Sequence, residues 1–311
     1  MFECTLASGD LFRKIVSALS ELVEQGNFQV DGNMISFQGM DSSHVSLVSL
    51  QLTESGFSQY RCDSDQCLGI QFAALSKILK CMTPKDSLSI QAQSDGDVVN
   101  FIFESMDQSR YSNFELKLND IDQEQLGIPD TEYDTIIEMP SAEFQRICRD
   151  LAAIGDTVTI SATKQGVKFS VNGDIGSGDM TIKGMMTNNN GTNKKQSAVK
   201  QEEDGMDEDD DDMGTGNVDD DDDVDGDGSN NVKISLTDTV QQTFSLRYLN
   251  NFTKATGLSD KVVLRMGNEV PLEVEYKIGD DNFGNLRYYL APKIDDDELC
   301  DRSGEDGNGG G

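Results

Sequence analysis

Four times along this chain an amphipathic helical stretch is followed by short runs in which apolar and polar residues alternate, and this recurrence constrains the fold more than any other feature. In residues 11–24, LFRKIVSALSELVE, Leu11, Ile15, Ala18, Leu19 and Leu22 recur at helical spacing, while Arg13, Lys14, Ser17, Ser20 and Glu21 take the other face. Residues 72–82 repeat the pattern, with Leu75, Ile78, Leu79 and Met82 inward and Lys77 and Lys80 outward. A third helix is expected from Phe144, Ile147, Cys148, Leu151 and Ile154, with Arg146 and Arg149 on its polar side. A fourth is expected from Leu246, Leu249, Phe252 and Ala255, with Lys254 outward. After each helix come runs such as MISFQGM, HVSLVSLQL, VVNFIFES, VKFSVNG and LEVEYKI, which alternate at period two and read as antiparallel strands. A unit that recurs in this way implies symmetric subdomains of one architecture, an α+β fold with helices backed by antiparallel sheets.

The recurrence divides the chain into two similar domains, 1–117 and 135–298, joined by a connector at 118–134 and followed by a flexible tail at 299–311. In the connector the apolar group Leu126-Gly127-Ile128-Pro129 is flanked by Asp and Glu on both sides. Dense acids oppose burial, Pro129 pushes Ile128 toward extended geometry and Gly127 breaks any helix, so the segment should run extended over the surface. Taken locally, it reads either as a linker whose Leu and Ile pin it to the domain beneath or as a docking site for partner peptides.

The formal charge of -32 argues against nucleic acid at first sight, because phosphates repel an acidic surface. The charge is uneven, however. Residues 188–231 hold 16 acids against Lys194, Lys195 and Lys200, and the remainder is still acidic, so any DNA contact must come from a local patch. Arg13/Lys14, Lys77/Lys80, Arg146/Arg149 and Lys254 supply small patches, since neighbours three apart share a helix face. On one helix such a pair is an ordinary solvated face; on four equivalent helices it suggests a common purpose. Residues 185–231 are Asn, Gly and Asp runs with almost no aliphatic content, which predicts a disordered acidic insertion between two strands.

Enzymatic chemistry finds little footing. There is no phosphate-binding glycine loop, no nucleophile elbow and no metal-spaced Cys/His set, and His44 is the only histidine available as a base. The six cysteines lack CxxC spacing and read as reduced intracellular thiols. The N-terminal MFECTLASGD lacks a basic start and an apolar core, and no run approaches the roughly 20 apolar residues of a membrane helix, so a soluble, non-secreted protein is expected. Two acidic patterns mimic metal sites. Asp223-Val224-Asp225-Gly226-Asp227-Gly228 opens like a calcium loop, but position 12 is Ile234 where a bidentate Glu is needed. Asp120/Asp122 and Asp295/Asp297 are explained more simply as acidic flanks of extended segments than as metal ligands.

Several long, collinear stretches resemble the proliferating cell nuclear antigen family, the eukaryotic DNA sliding clamps. These are FQGMDSSHVSLV (37–48), YRCD (60–63), LSKILKCM (75–82), EQLGIP (124–129), FQRICRDLAAIGD (144–156), LRYLNNFTKAT (246–256), VPLEVEYKI (270–278) and YYLAPKI (288–294). Together they span nearly the whole chain outside 185–231 and the tail. The resemblance implies a nuclear, homotrimeric ring of six similar domains in the DNA-clamp fold, with helices lining the hole and sheets forming the outer wall. It implies a polymerase processivity factor without catalysis or cofactor, in which Arg13, Lys14, Lys77, Lys80, Arg146, Arg149 and Lys254 face double-stranded DNA without reading bases. The connector becomes the family's interdomain loop. A docking pocket is implied at Met40, His44, Val45, Leu47, Leu126, Ile128, Tyr133, Pro271, Tyr289, Ala291 and Pro292, taking short apolar-aromatic motifs. Polymerases, a clamp loader, and flap-endonuclease and ligase types are the implied clients.

Lys164 matches the family's ubiquitin acceptor. Ring closure is implied between the strand carrying Tyr111 and Phe114 and the edge carrying Asp179, Thr181 and Lys183. Ser20 and Ala153 stand where relatives often carry basic or imidazole groups, Phe114 replaces a common Tyr, and the family does not account for the acidic insertion. Two other readings remain at this stage: a specialised or paralogous clamp in damage response, and an acidic histone-binding protein built around the Asp runs.

Overall fold

In the computed structural model, which describes residues 1–94, 96–122, 126–128, 131–186, 232–268, 270–279 and 283–293, the chain builds the same layout twice. The first half runs β1 (Phe2–Leu6), α1 (Asp10–Leu19), β2 (Gln25–Val30), β3 (Met34–Met40), β4 (Ser46–Thr53), β5 (Gln59–Cys62), β6 (Gln66–Gln71), α2 (Phe72–Leu79), β7 (Ser87–Ala92), β8 (Val98–Glu104) and β9 (Tyr111–Lys117). The second runs β10 (Thr135–Pro140), α3 (Ser141–Ala152), β11 (Thr157–Thr163), β12 (Gly166–Gly173), β13 (Gly176–Ile182), β14 (Met185–Met186), β15 (Lys233–Leu236), β16 (Val240–Ser245), α4 (Leu246–Phe252), a 3-10 turn (Thr253–Leu258), β17 (Lys261–Met266), β18 (Leu272–Ile278) and β19 (Gly284–Leu290).

Strand order repeats between the halves. The sheet β5-β1-β7-β8-β9 has its counterpart in β15-β10-β17-β18-β19, and β6-β2-β3-β4 in β16-β11-β12-β13. Register repeats too: Ile90, Phe101 and Phe114 lie opposite one another as Leu264, Val274 and Tyr288 do, and Phe28, Phe37 and Leu50 as Ile160, Phe169 and Met180 do. One junction joins the halves. Strand β4 pairs antiparallel with β19, from Leu52 opposite Gly284 to Ser46 opposite Leu290, and fuses strands of both halves into a ten-stranded sheet.

Alternation decides which face each strand buries, because successive side chains point to opposite sides of a sheet. Val48, Leu50 and Leu52 of β4 and Leu286, Tyr288 and Leu290 of β19 point inward and are fully buried. The helices cover this inner face. α1 touches α2 on one side and the 3-10 turn on the other, while α3 touches α4 and the same turn, so the helices form one continuous layer.

Several sequence expectations are corrected. α1 ends at Leu19, well short of residue 24, and its buried stripe is Phe12, Ile15, Val16 and Leu19, with Leu11 and Leu22 only half-buried. The stripe starting at Phe12 is apolar at i, i+3, i+4 and i+7, which the one starting at Leu11 is not. The fourth α-helix stops at Phe252, where the Thr253 and Thr256 hydroxyls donate back to the Asn250 and Thr253 carbonyls and the chain tightens to 3-10, placing Lys254 on that turn. Strands β1 and β10 precede their helices, so each unit opens on a strand. The insertion, expected to start at 185, starts later, because Met185 and Met186 pair in parallel with Lys233 and Ile234. Pro129, residues 187–231 with the Asp-Gly motif, Asp295, Asp297 and the tail lie outside the described residues.

The junction of the halves is closed beyond the strand pair by Phe283. Its carbonyl accepts from the Thr53 N–H (2.7 Å) and hydroxyl (3.0 Å), and its buried ring meets Phe57 edge-on at 5.3 Å. The ring lies directly on Gly56, where a Cβ would come within 1.6 Å of it. Phe283→Ala should cost about 3–5 kcal/mol, measured as a lowered urea midpoint with little change in far-UV circular dichroism.

Candidate nucleic-acid interface and docking surface

The helical layer carries the cations singled out from sequence. Arg13, Lys14, Ser17, Ser20, Ser76 and Lys80 line one groove between α1 and α2. Lys77 on α2, Arg146 and Arg149 on α3 and Lys254 on the 3-10 turn are all exposed. Acids of the same helix partner four of these cations: Arg13 and Lys14 with Asp10, Arg146 with Glu143 (2.6 Å) and Arg149 with Asp150 (2.9 Å). Such exposed pairs are worth about 0–1 kcal/mol, so exchanging an acid for a phosphate costs little. Burial at Asp10 would raise its carboxyl, but the Arg13 and Lys14 partners outweigh it and hold the group below the ordinary aspartate value.

Sequence reasoning missed Arg247. At about 100° per residue, Leu246, Leu249 and Phe252 turn α4 toward the sheet, and exposed Arg247 points the opposite way. Asn250 reaches the Cys148 carbonyl of α3 and Asn251 the Glu21 carbonyl beyond α1, so Arg247 lies on the arc of α4 between those two contacts. The available sign was its place in the outward arc of the fourth helix.

On the opposite side the sheet builds an apolar row. Met40 lies opposite Leu47, Leu47 opposite Tyr289, Tyr289 opposite Glu273 and Glu273 opposite Arg265, and directly opposed residues share a face. The Ala291 N–H donates to the Val45 carbonyl (3.1 Å), and the Lys293 N–H to that of Thr243, which sets Ala291 and Pro292 beside the row. Pro271, exposed, leads into β18. The connector crosses above. The Gln38 amide grips the Leu126 backbone twice, donating to its carbonyl (2.8 Å) and accepting from its N–H (2.7 Å). At the far end the Tyr133 hydroxyl donates to Glu273 (3.0 Å). Met40, Val45, Leu126 and Ile128 are 36–42% exposed, so the connector leaves its apolar side chains partly in water when it docks.

Two polar features support this surface. Glu273 and Glu275 sit nearly buried among Arg265 and Arg287, with Arg265 bridging both carboxylates and Arg287 3.0 Å from Glu275. Burial pushes the Glu275 carboxyl up, but the two guanidiniums outweigh it and keep it ionised. Sequence gives Glu273 only as a polar strand residue; in the structure it is buried with Tyr133, Arg265 and Arg287 as its partners. The second feature is Asp41, buried at the turn before β4. It accepts from the N–H groups of Ser43 (3.0 Å), Val45 (2.9 Å) and Ser46 (2.7 Å) and from the Tyr248 hydroxyl of α4 (2.8 Å). This turn, with His44 at φ 57°, delays β4 to Ser46 and takes His44 out of the strand in which the sequence pattern places it.

Lys164 is exposed in the turn between β11 and β12. Tyr111 and Phe114 lie on β9, and Asp179 and Thr181 on β13, which among the described residues are outer strands of their sheets; Lys183 follows β13 just past its end. Phe114 packs inward on Phe103 (5.4 Å), while Tyr111 is exposed.

Two repeated halves, a cation-bearing helical layer and a sheet layer bearing an apolar row define a two-domain clamp of the kind that acts on DNA. Residues 1–126 match the family model for the N-terminal domain of proliferating cell nuclear antigen, and residues 127–204 and 208–293 match that for its C-terminal domain. The chain belongs to the proliferating cell nuclear antigen family, non-enzymatic sliding clamps of DNA replication and repair.

Burial raises the Asp41 carboxyl, but its hydrogen bonds from Ser46, Tyr248, Ser43 and Val45 outweigh this and lower it overall. A lowered folded value contributes stability above the unfolded value of about 3.9 that is lost as pH falls through the folded one. Asp41→Asn should therefore cost about 1.5–3 kcal/mol near neutral pH. The stability gap from the parent protein should stay constant above about pH 5 and close below about pH 3.9, as read from urea midpoints across pH.

Proposed function

We propose that the chain is a DNA polymerase processivity factor that works in the nucleus as a homotrimeric ring. In this reading the ring is built from clamp domains at 1–117 and 135–298 joined by the connector at 118–134. Duplex DNA passes through the hole, where Arg13, Lys14, Lys77, Lys80, Arg146, Arg149 and Lys254, with Arg247, meet phosphates without reading sequence. The acidic exterior helps to confine DNA to the channel. Clients of replication and repair, including polymerases, the clamp loader and nuclease and ligase types, set a short apolar-aromatic motif on Met40, His44, Val45, Leu47, Tyr289, Ala291 and Pro292. The connector residues Leu126, Ile128 and Tyr133 and Pro271 flank that motif, and Lys164 on its exposed turn is the modification site.

The observation that carries the reading is the symmetry of the strand edges. Among the described residues strands β9 and β13 have no outer partner, and they are the counterparts of β19 and β4, which pair within the chain. Repeating that pairing between copies adds β9 of one to β13 of the next, head to tail, and such a contact closes into a ring. The register follows from the internal pair. Tyr288 lies opposite Val48 and Asn285 opposite Gln51, which sets Phe114 opposite Gly178, and Tyr111 opposite Thr181, of the next copy.

With exposed Cys67 and Cys81 first replaced by Ser, a chain carrying Tyr111→Cys and Thr181→Cys should oxidise to a covalent trimer, and each single variant should not. Monomer alone by sedimentation at micromolar concentration, with no gain in polymerase processivity on a primed template, would sink the reading. Leu126→Ala combined with Ile128→Ala should leave assembly intact and weaken a client peptide about tenfold or more, measured by calorimetry; unchanged affinity would return the connector to the role of a pinned linker.

A further inference from the structure

We propose that a groove beside the end of β13 is a socket for the β8–β9 turn of a second copy of this chain, with Met106 as its apolar anchor. The proposal rests on the head-to-tail ring described above and adds a contact outside the strand pair. The groove is open, of about 620 Å³, and its walls include Pro140, Glu143, Arg146, Ile182, Lys183 and Met185. Met185 is 62% exposed, an unusual placement for a large apolar side chain next to a half-buried Ile182.

The internal repeat says what belongs there. Within the chain Phe283, just before β19, comes down on the end of β4 and the residues past it, where the Thr53 N–H meets the Phe283 carbonyl and the Phe283 ring covers Gly56. On the same side the 3-10 turn packs on α1, with the Lys14 stem 3.8 Å from a Cβ built on Gly257. Carrying this arrangement over to the free edges replaces β4 by β13, α1 by α3 and β19 by β9. The turn entering β9, residues 105–110, then falls on residues 183–186 of the next copy, where the groove lies, while the segment between α2 and β7, to which Arg110 is bonded, takes the place of the 3-10 turn and falls on α3. Ser109 occupies the position of Phe283, so the apolar group of this turn is Met106, at the tip.

The turn is built to present that side chain. Met106 is 85% exposed, the most exposed of the large apolar side chains among the described residues. The backbone around it is fixed by the Gln108 N–H on the Ser105 carbonyl (2.8 Å), the Ser105 N–H on the Arg110 carbonyl (3.0 Å) and a left-handed Gln108. The Asp107 carboxylate accepts from both the Ser105 and Ser109 hydroxyls (2.7 Å each), which hold its pKa at about 2. Arg110 anchors the turn to the body through Asp86 (2.5 Å) and Thr83 (3.2 Å). A rigid turn loses little freedom when its tip is buried by a partner.

The test compares self-association of the full chain and its variants by sedimentation over a concentration series. Met106→Glu and Met185→Glu should each weaken association by about tenfold or more, while Met106→Leu stays close to the parent. At concentrations where the chains are monomeric, urea midpoints should not change, because both side chains are exposed in the single copy. Met106→Glu spoils only the turn and Met185→Glu only the socket, so an equimolar mixture should form heterodimers through the one intact seam at concentrations where each alone is monomeric. Parental association of Met106→Glu would overturn the socket while leaving the strand pairing in place. A parent chain that fails to self-associate would overturn the ring reading and the socket with it.

Discussion

The antiparallel pairing of β4 with β19 is the contact on which the rest of the structure depends. It joins the two halves through a continuous ladder, and it sets Val45 to Leu47 against Tyr289 to Ala291, two segments far apart in the chain. Without it neither half contains the apolar row, because Met40 and Leu47 come from one half and Tyr289, Ala291 and Pro292 from the other. Among the described residues β9 and β13 are left as the outer strands of their own sheets, each with one side unpaired. A strand edge with unpaired donors and acceptors favours further pairing, and here the partner with matching geometry is another copy.

Charge is handled differently on the two layers. On the helices, cations stay in water beside acids of their own helix, where each pair is weak and can be exchanged. On the sheet, Glu273 and Glu275 are nearly out of water, and losing one member of the cluster would strand a buried charge at a cost of about 3–5 kcal/mol. The exchangeable pairs suit a surface that slides, and the fixed cluster suits one that must hold the end of a connector in place. Asp41 does similar work on the other side of the apolar row, since its carboxylate shapes the turn before β4 and takes the Tyr248 hydroxyl from the second half.

The presence of four amphipathic stretches was legible because burial imposes a period that survives in sequence, which also set Lys77, Lys80, Arg146 and Arg149 outward, although the first stripe starts at Phe12 and not at Leu11. The end of α1 and the fourth helix were misjudged because helix ends are set by local hydrogen bonds, such as those of Thr253 and Thr256, which leave little periodic trace. Strands β1 and β10 leave little trace in the sequence because each is short and β10 passes directly into its helix at Ser141.

By itself the sequence determined the repeated helix-and-strand unit, the polarity of each face and, through long collinear motifs, the family, because these depend on residue type and spacing along the chain. Only the tertiary structure decided that Gln38 grips Leu126, that buried Glu273 takes the Tyr133 hydroxyl, that Arg247 shares the cationic layer and that β9 and β13 are the outer-strand counterparts of β19 and β4. Each of those facts depends on which strands become neighbours, and strand neighbourhood is settled by pairing across the whole sheet, which no local window of sequence contains.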